Sequence, residues 1–120
     1  MNELELKQRT KQFAHNCVRL ALCPSTTHLE SHISKQLIRC STSVAANYRA
    51  ACVAQSVNSF IAKLSIVIEE IDETAFWLEF IIDEHFIIKE KIENLFNESN
   101  ELSAIFVASR KTLQKQKATI

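Results

Sequence analysis

Four side chains near the start of the chain have metal-ligand chemistry: Cys17, Cys23, His28 and His32. The two histidines are four residues apart, so a helix would place them on one face, where they could clasp a metal ion. The cysteine spacing matches neither a zinc ribbon nor a finger, and Pro24 separates the two pairs. Surface histidines and small buried thiols account for the same residues without a metal. A ferritin-like di-iron centre needs Glu-x-x-His on two helices, and that motif does not occur. The acidic run Glu69, Glu70, Asp72, Glu73 reads better as a solvated helix face. The chain has no Gly, so no Gly-rich phosphate loop can form. The expectation is no catalytic residue, no metal and no cofactor.

What remains is a protein whose chemistry would lie in its surfaces, and the elements that shape them are helices. No Gly and a single Pro in 120 residues disfavour sheets and intricate loops, which recruit Gly for positive φ. Apolar residues recur at helical spacing in four segments, about 2–22, 28–54, 57–84 and 89–115. In the first, Leu6, Thr10, Phe13, Ala14, Cys17, Leu20 and Ala21 form one stripe, with Asn2 and Glu5 placed to cap it. In the second, Thr27 and Glu30 fit a capping box, and Ile33, Leu37, Cys40, Val44, Asn47 and Ala51 make a heptad seam. The seam position of Asn47 suits a register-setting or backbone-satisfying role better than a binding role. Ser56 or Asn58 can cap the third segment, where Phe60, Leu64, Val67, Ile68, Ile71, Ala75, Leu78 and Ile82 form the main apolar face. Phe76, Trp77, Phe80 and Ile81 widen that face beyond one stripe, which implies burial on a second side. Trp77, Phe80 and Ile81 are therefore the candidate subunit interface. The break before the fourth segment falls at residues 85–88 without Gly or Pro. There Ile92, Leu95, Phe96, Ser99, Leu102, Phe106, Ser109 and Leu113 define the last helix, with a fraying tail after Lys115.

The fold class expected is all-α: one domain over 1–120, an antiparallel up-down-up-down four-helix bundle. The N-terminus lacks the basic and apolar regions of a signal peptide, and no apolar run spans a membrane, so a cytoplasmic protein with reduced cysteines is expected.

Net charge is zero, but the charge is unevenly spread. Residues 1–63 hold eight Lys/Arg and three Asp/Glu; residues 64–98 hold two and ten; residues 99–120 hold four and one. Up-down folding would bring Lys7, Lys11, Arg49, Lys63, Arg110, Lys111 and Lys115 to one end, a candidate surface for RNA or DNA phosphates. Arg9 and Lys117 would join them. Glu79, Asp83, Glu84, Glu90 and Glu93 would gather at the other end. The competing readings are a merely solubilised bundle and a protein–protein interaction scaffold.

The middle of the chain carries a resemblance. Thr42-Ser43-Val44-Ala45-Ala46-Asn47-Tyr48-Arg49 and Asp72-Glu73-Thr74-Ala75-Phe76-Trp77-Leu78, with Phe60 to Val67 and an echo over 101–109, are similar to the bacterial 23S rRNA intervening sequence protein family. Arg9 to Ala14 resembles that family's opening. The family pattern usually has Gly at Ser41 and Ala45 and Glu at Ala50, so a carboxylate near Asn47 and Arg49 is missing here. The resemblance implies a homo-oligomer, a pentameric ring first, with no enzyme activity. A related branch serves diversity-generating retroelements, binding nucleic acid and a reverse transcriptase, which implies those partners by analogy.

Overall fold

A computed structural model describes residues 1–21, 27–87 and 89–118. It contains four α-helices and, among the described residues, no strand: α1 (Glu3–Ala21), α2 (His28–Cys52), α3 (Val57–Asp83) and α4 (Lys89–Ala118). The break at Pro24 and the thiol of Cys23 lie outside the described residues. α4 runs three residues past the expected end at Lys115, so Gln116 to Ala118 are helical rather than frayed.

Each well-defined start has a side-chain cap that satisfies an amide left without an intrahelical partner. The Glu5 amide donates to Asn2 Oδ1 at 2.8 Å, and Asn2 Nδ2 donates back to Glu5 Oε1 at 3.1 Å. The Glu30 amide donates to Thr27 Oγ1 at 3.1 Å, while the Thr27 hydroxyl donates to Glu30 Oε1 at 3.0 Å. Ser56, rather than Asn58, caps α3 by accepting from the Ser59 amide.

The end of α3 explains how a chain without Gly makes a sharp break. His85 adopts φ 57°, the left-handed conformation that usually recruits Gly. The Phe86 amide donates to Ile81 O at 3.3 Å, and the His85 amide donates to Ile82 O at 3.1 Å. These two bonds make a Schellman motif, closing orphan carbonyls of the last turn. Phe86 then packs on the core beside Ile81, the apolar contact that usually accompanies the motif.

The helices are packed in chain order around one core, with α2 against α1 and α3, and α4 against α3. α1 and α4 close the ring of four with the thinnest packing. The result is 54 Å long and about 20 Å across. Glu3, Cys52, Val57 and Leu113 line one shallow cavity, so the starts of α1 and α3 meet the ends of α2 and α4. The bundle is therefore antiparallel and up-down-up-down.

The core is the expected stripes with instructive exceptions. Leu37, Val44, Leu64, Ile71, Leu78, Leu102 and Phe106 are fully buried. Ile68 is only half-buried, and so are Ala75 and Ile82. Thr74 and Ile81 take their places inside. Thr74 can do so because its hydroxyl donates to Glu70 O at 2.8 Å, which leaves its methyl side for packing. Ser41 and Ser99 are buried in the same way, each donating to a carbonyl one turn back. On α2 the seam turns at Asn47, which is half-buried, and Tyr48 goes inside against Phe106. Asn47 Nδ2 donates to Ser43 O and Oγ at 3.0 and 2.9 Å, a bond within its own helix.

Candidate nucleic-acid interface

Antiparallel packing sorts the charge along the long axis. The half of the bundle built from residues 1–11, 40–68 and 104–118 carries nine Lys/Arg and two Asp/Glu. The remaining described residues carry five and twelve. A neutral protein is thus a dipole of about seven charges at each end, held apart along a 54 Å rod. α3 is the main source of the negative half, since no basic residue follows Lys63 within it.

The seven expected phosphate contacts do not all line one groove. Lys7 and Lys11 on α1 and Arg49 on α2 line a single groove of about 710 Å³, with His15 beside them. Ala14, Val18, Ala45 and Ala46 give that groove small apolar walls. Lys63 on α3, and Arg110, Lys111 and Lys115 on α4, lie outside it at the same end of the bundle. Arg110 is half-buried and donates from Nη1 to Ser65 Oγ at 3.2 Å, which ties it to α3. Lys11, Arg49, Lys63, Lys111 and Lys115 are exposed.

Arg9 has a different task. Its Nε donates to Glu98 Oε2 at 2.8 Å and its Nη2 to Glu98 Oε1 at 2.6 Å, a fork that fits the carboxylate. Nη2 also lies 2.8 Å from Glu101 Oε1. The Glu98 bonds, above all, hold the guanidinium above its ordinary range against the cost of burial. Arg9 is therefore a clip between α1 and α4, at the seam where packing is thinnest, and its charge is spent there. A second cluster, Arg39 with Glu70 and Glu73, ties α2 to α3.

A groove of about 980 Å³ runs along the α1–α4 seam beside Arg9, with Phe13, Leu20 and Leu95 among its walls. At the acidic end, the rings of Phe76, Trp77 and Phe80 meet at centroid distances of 5.0–6.0 Å. His32 packs edge-on against Trp77 at 5.7 Å. Phe76 is 53% exposed, whereas Trp77 and Phe80 are half-buried against the chain's own core. Ile81, expected at a subunit interface, is 5% exposed and belongs to that core. Its burial follows from helical spacing, since it continues the buried face of Ile71, Thr74 and Leu78. Within this cluster the exposed ring is thus Phe76, which the helical pattern grouped with its neighbours but could not orient. The Trp77 indole N–H is buried and meets no acceptor among the described residues.

Cys17, Cys40 and Cys52 are free thiols, and among the described residues no three His, Cys, Asp or Glu side chains converge as a metal-binding group. Burial pushes the Cys17 thiol up to about 12, with Cys40 nearby adding to the effect. Burial raises Cys40 and Cys52 as well. Thiolates, the reactive and metal-binding form, are therefore disfavoured at all three. No helix among the described residues is long and apolar enough to cross a membrane.

Residues 2–108 match the family model described as 23S rRNA-intervening sequence protein. The chain belongs to that family. A crystal structure at 1.70 Å resolution, of a protein of unknown function from the S23 ribosomal protein family of Bacteroides thetaiotaomicron, is similar to it throughout. The two share 35% identity, with a TM-score of 0.84, over 92% of this chain and 99% of the other. No curated protein matches the chain. The family match spans α1 to α3 and most of α4, including Lys7, Lys11, Arg49 and Lys63, and stops before Arg110. The basic end of α4 therefore lies beyond the matched residues.

Proposed function

We propose that this protein is a non-enzymatic, oligomeric helical bundle that associates with RNA or DNA through its basic end. The observation that carries the reading is the segregation of nine cations and two carboxylates into one half of the rod. Cationic side chains displace counterions condensed on phosphates, and the gain is largest where several act together. The contacts available are to backbone phosphates, so sequence preference is slight. The proposed assembly is a homo-oligomer, a pentameric ring first, with Phe76, Trp77 and Phe80 at or near the subunit contact. The exposed Phe76 ring supports that placement. In a parallel ring the basic ends share one rim, and avidity raises a weak contact to a useful one. An accessory role in the cytoplasm beside a protein such as a reverse transcriptase follows from the resemblance alone.

The test is the double reversal Lys7→Glu with Lys111→Glu, in protein shown to keep its helicity and oligomeric state. Wild type should bind RNA or DNA at low salt, and binding should fall linearly on logarithmic axes as salt rises. Each lost phosphate contact should reduce that slope by about 1. If wild type binds neither nucleic acid, or the variant binds equally well, the basic end is a solvated surface. A protein–protein scaffold then becomes the better reading, and the exposed aromatic ring at the acidic end is the surface to pursue.

A further inference from the structure

We propose that the groove between α1 and α2 is a track for one single strand of nucleic acid, gripped through its phosphates by Lys7, Lys11 and Arg49. The inference rests on the basic-end reading and narrows it to one face of the bundle and one form of ligand.

Three features of the groove point the same way. The first is spacing. Lys7, Lys11 and His15 sit at i, i+4 and i+8 on α1, so they share a face and follow one another at about 6 Å per step along the axis. That interval is close to the separation of successive phosphates on an extended strand. Arg49 stands on α2 across the groove, so phosphates are held from both sides. The second is the sign of the lining. No Asp or Glu lines the groove itself; Glu3, one turn before Lys7 on the same stripe of α1, lies beyond its end. By contrast, the α1–α4 groove is bordered by Glu5 and Glu98, and its Arg9 is already bound.

The third is shape. Helices in contact have axes about 8–10 Å apart, so the valley between them is narrow. A duplex presents its phosphates on a broad convex cylinder and would touch only the rims. A single strand can sink its sugars onto Ala45, Ala46 and Val18 while its phosphates meet the cations. Lys7 is half-buried, so its stem runs along the wall rather than out into solvent. No Phe, Tyr or Trp lines the groove, so apart from the His15 imidazole at its far end the bases gain no stacking platform and face away from the protein. The Thr42 hydroxyl is spent on Ile38 O and Arg39 O at 2.7 and 3.1 Å, which leaves the grip to the cations.

The stretch from Lys7 to Val18 is about 16 Å long at ~1.5 Å per residue, room for about three phosphates. A tetranucleotide, with three internucleotide phosphates, therefore matches the groove without reaching the α3–α4 flank. The experiment measures fluorescence anisotropy of an end-labelled tetrauridylate with the full-length protein at low salt. Wild type should bind it. The triple variant Lys7→Gln, Lys11→Gln, Arg49→Gln should bind at least about tenfold more weakly, with a salt slope shallower by about 2, from ~0.7 per phosphate for single strands. Lys111→Gln with Lys115→Gln, outside the groove, should stay within about twofold of wild type for this short probe, since it removes no groove contact. The proposal is overturned if the triple variant binds as wild type does. It is equally overturned if a stable, blunt-ended RNA duplex competes as well, phosphate for phosphate, as the single strand. Loss of the native oligomeric state in the triple variant would overturn it too, by making the groove a subunit contact. Failure of wild type to bind either the tetranucleotide or long RNA and DNA is a separate result, and it defeats the basic-end reading itself.

Discussion

Replacing Arg9 with methionine tests the claim that one clip holds the thinnest seam of the bundle. Methionine keeps the apolar stem of the side chain and lacks the guanidinium, so the change removes the charged fork with little loss of stem packing. Glu98 then keeps its negative charge in a site where its side chain is 28% exposed, facing a position where the Arg9 side chain is 19% exposed. A fully buried ion pair broken on one side costs about 3–5 kcal/mol, and an exposed pair costs about 0.2–1 kcal/mol. This pair lies between those limits. Glu101, at 65% exposed, adds little. The expected loss is about 2 kcal/mol, in line with two charge-assisted hydrogen bonds partly replaced by water. For 120 residues at ~2.1 cal/mol/K each, the unfolding entropy is about 0.25 kcal/mol/K, so Tm should fall by about 8 °C. Urea unfolding at one fixed protein concentration measures the loss, since assembly would otherwise shift it. A cycle with Glu98→Gln isolates the pair: the double variant should be more stable than the sum of the single losses by about 1–2 kcal/mol. If Arg9→Met stays within about 0.5 kcal/mol of wild type, the α1–α4 seam is held by its apolar contacts and the clip is ornamental.

Three further outcomes follow. His85→Gly should stabilise the protein by about 0.5–1 kcal/mol in urea, because a left-handed histidine costs about 1–2 kcal/mol and glycine returns part of that gain as unfolded-chain entropy; a destabilised variant would mean that the histidine ring makes a contact worth more than the strain. Cys17 ionises near 9 when unfolded and about 12 when folded, so the unfolded state sheds its proton first and the thiol's contribution, full below pH 9, is lost as pH rises to 12. The stability difference between wild type and Cys17→Ala should therefore shrink over that window, and a difference independent of pH would refute the burial argument. Leu78→Ala, at a fully buried core position near the end of α3, should cost about 2–5 kcal/mol by chemical denaturation; a loss under 1 kcal/mol would mean that this part of the bundle is loosely packed.

Helix number, helix starts and most of the core were legible in the sequence, because each depends on neighbours within one turn or two. Thr27 and Ser56 cap amides three residues on, and the 3.6-residue period that buries Leu37, Val44 and Leu102 is a property of one helix at a time. Charge sorting was legible for a related reason: once short links force antiparallel packing, position along the chain becomes position along the rod. Tertiary structure alone decided the rest. α3 is apolar around most of its circumference, so its own period could not choose between Ala75 and Thr74, or between Ile82 and Ile81; the neighbours α2 and α4 made that choice. The stop at His85 has no signature in a chain without Gly, since a left-handed histidine is recognised only by its dihedral and by the bonds that close the turn. Arg9 looked like one more cation of the basic end, until folding set it against a carboxylate 89 residues away. The same folding divided the remaining cations between a groove and a flank, because which side of a helix faces a groove depends on the helix packed beside it.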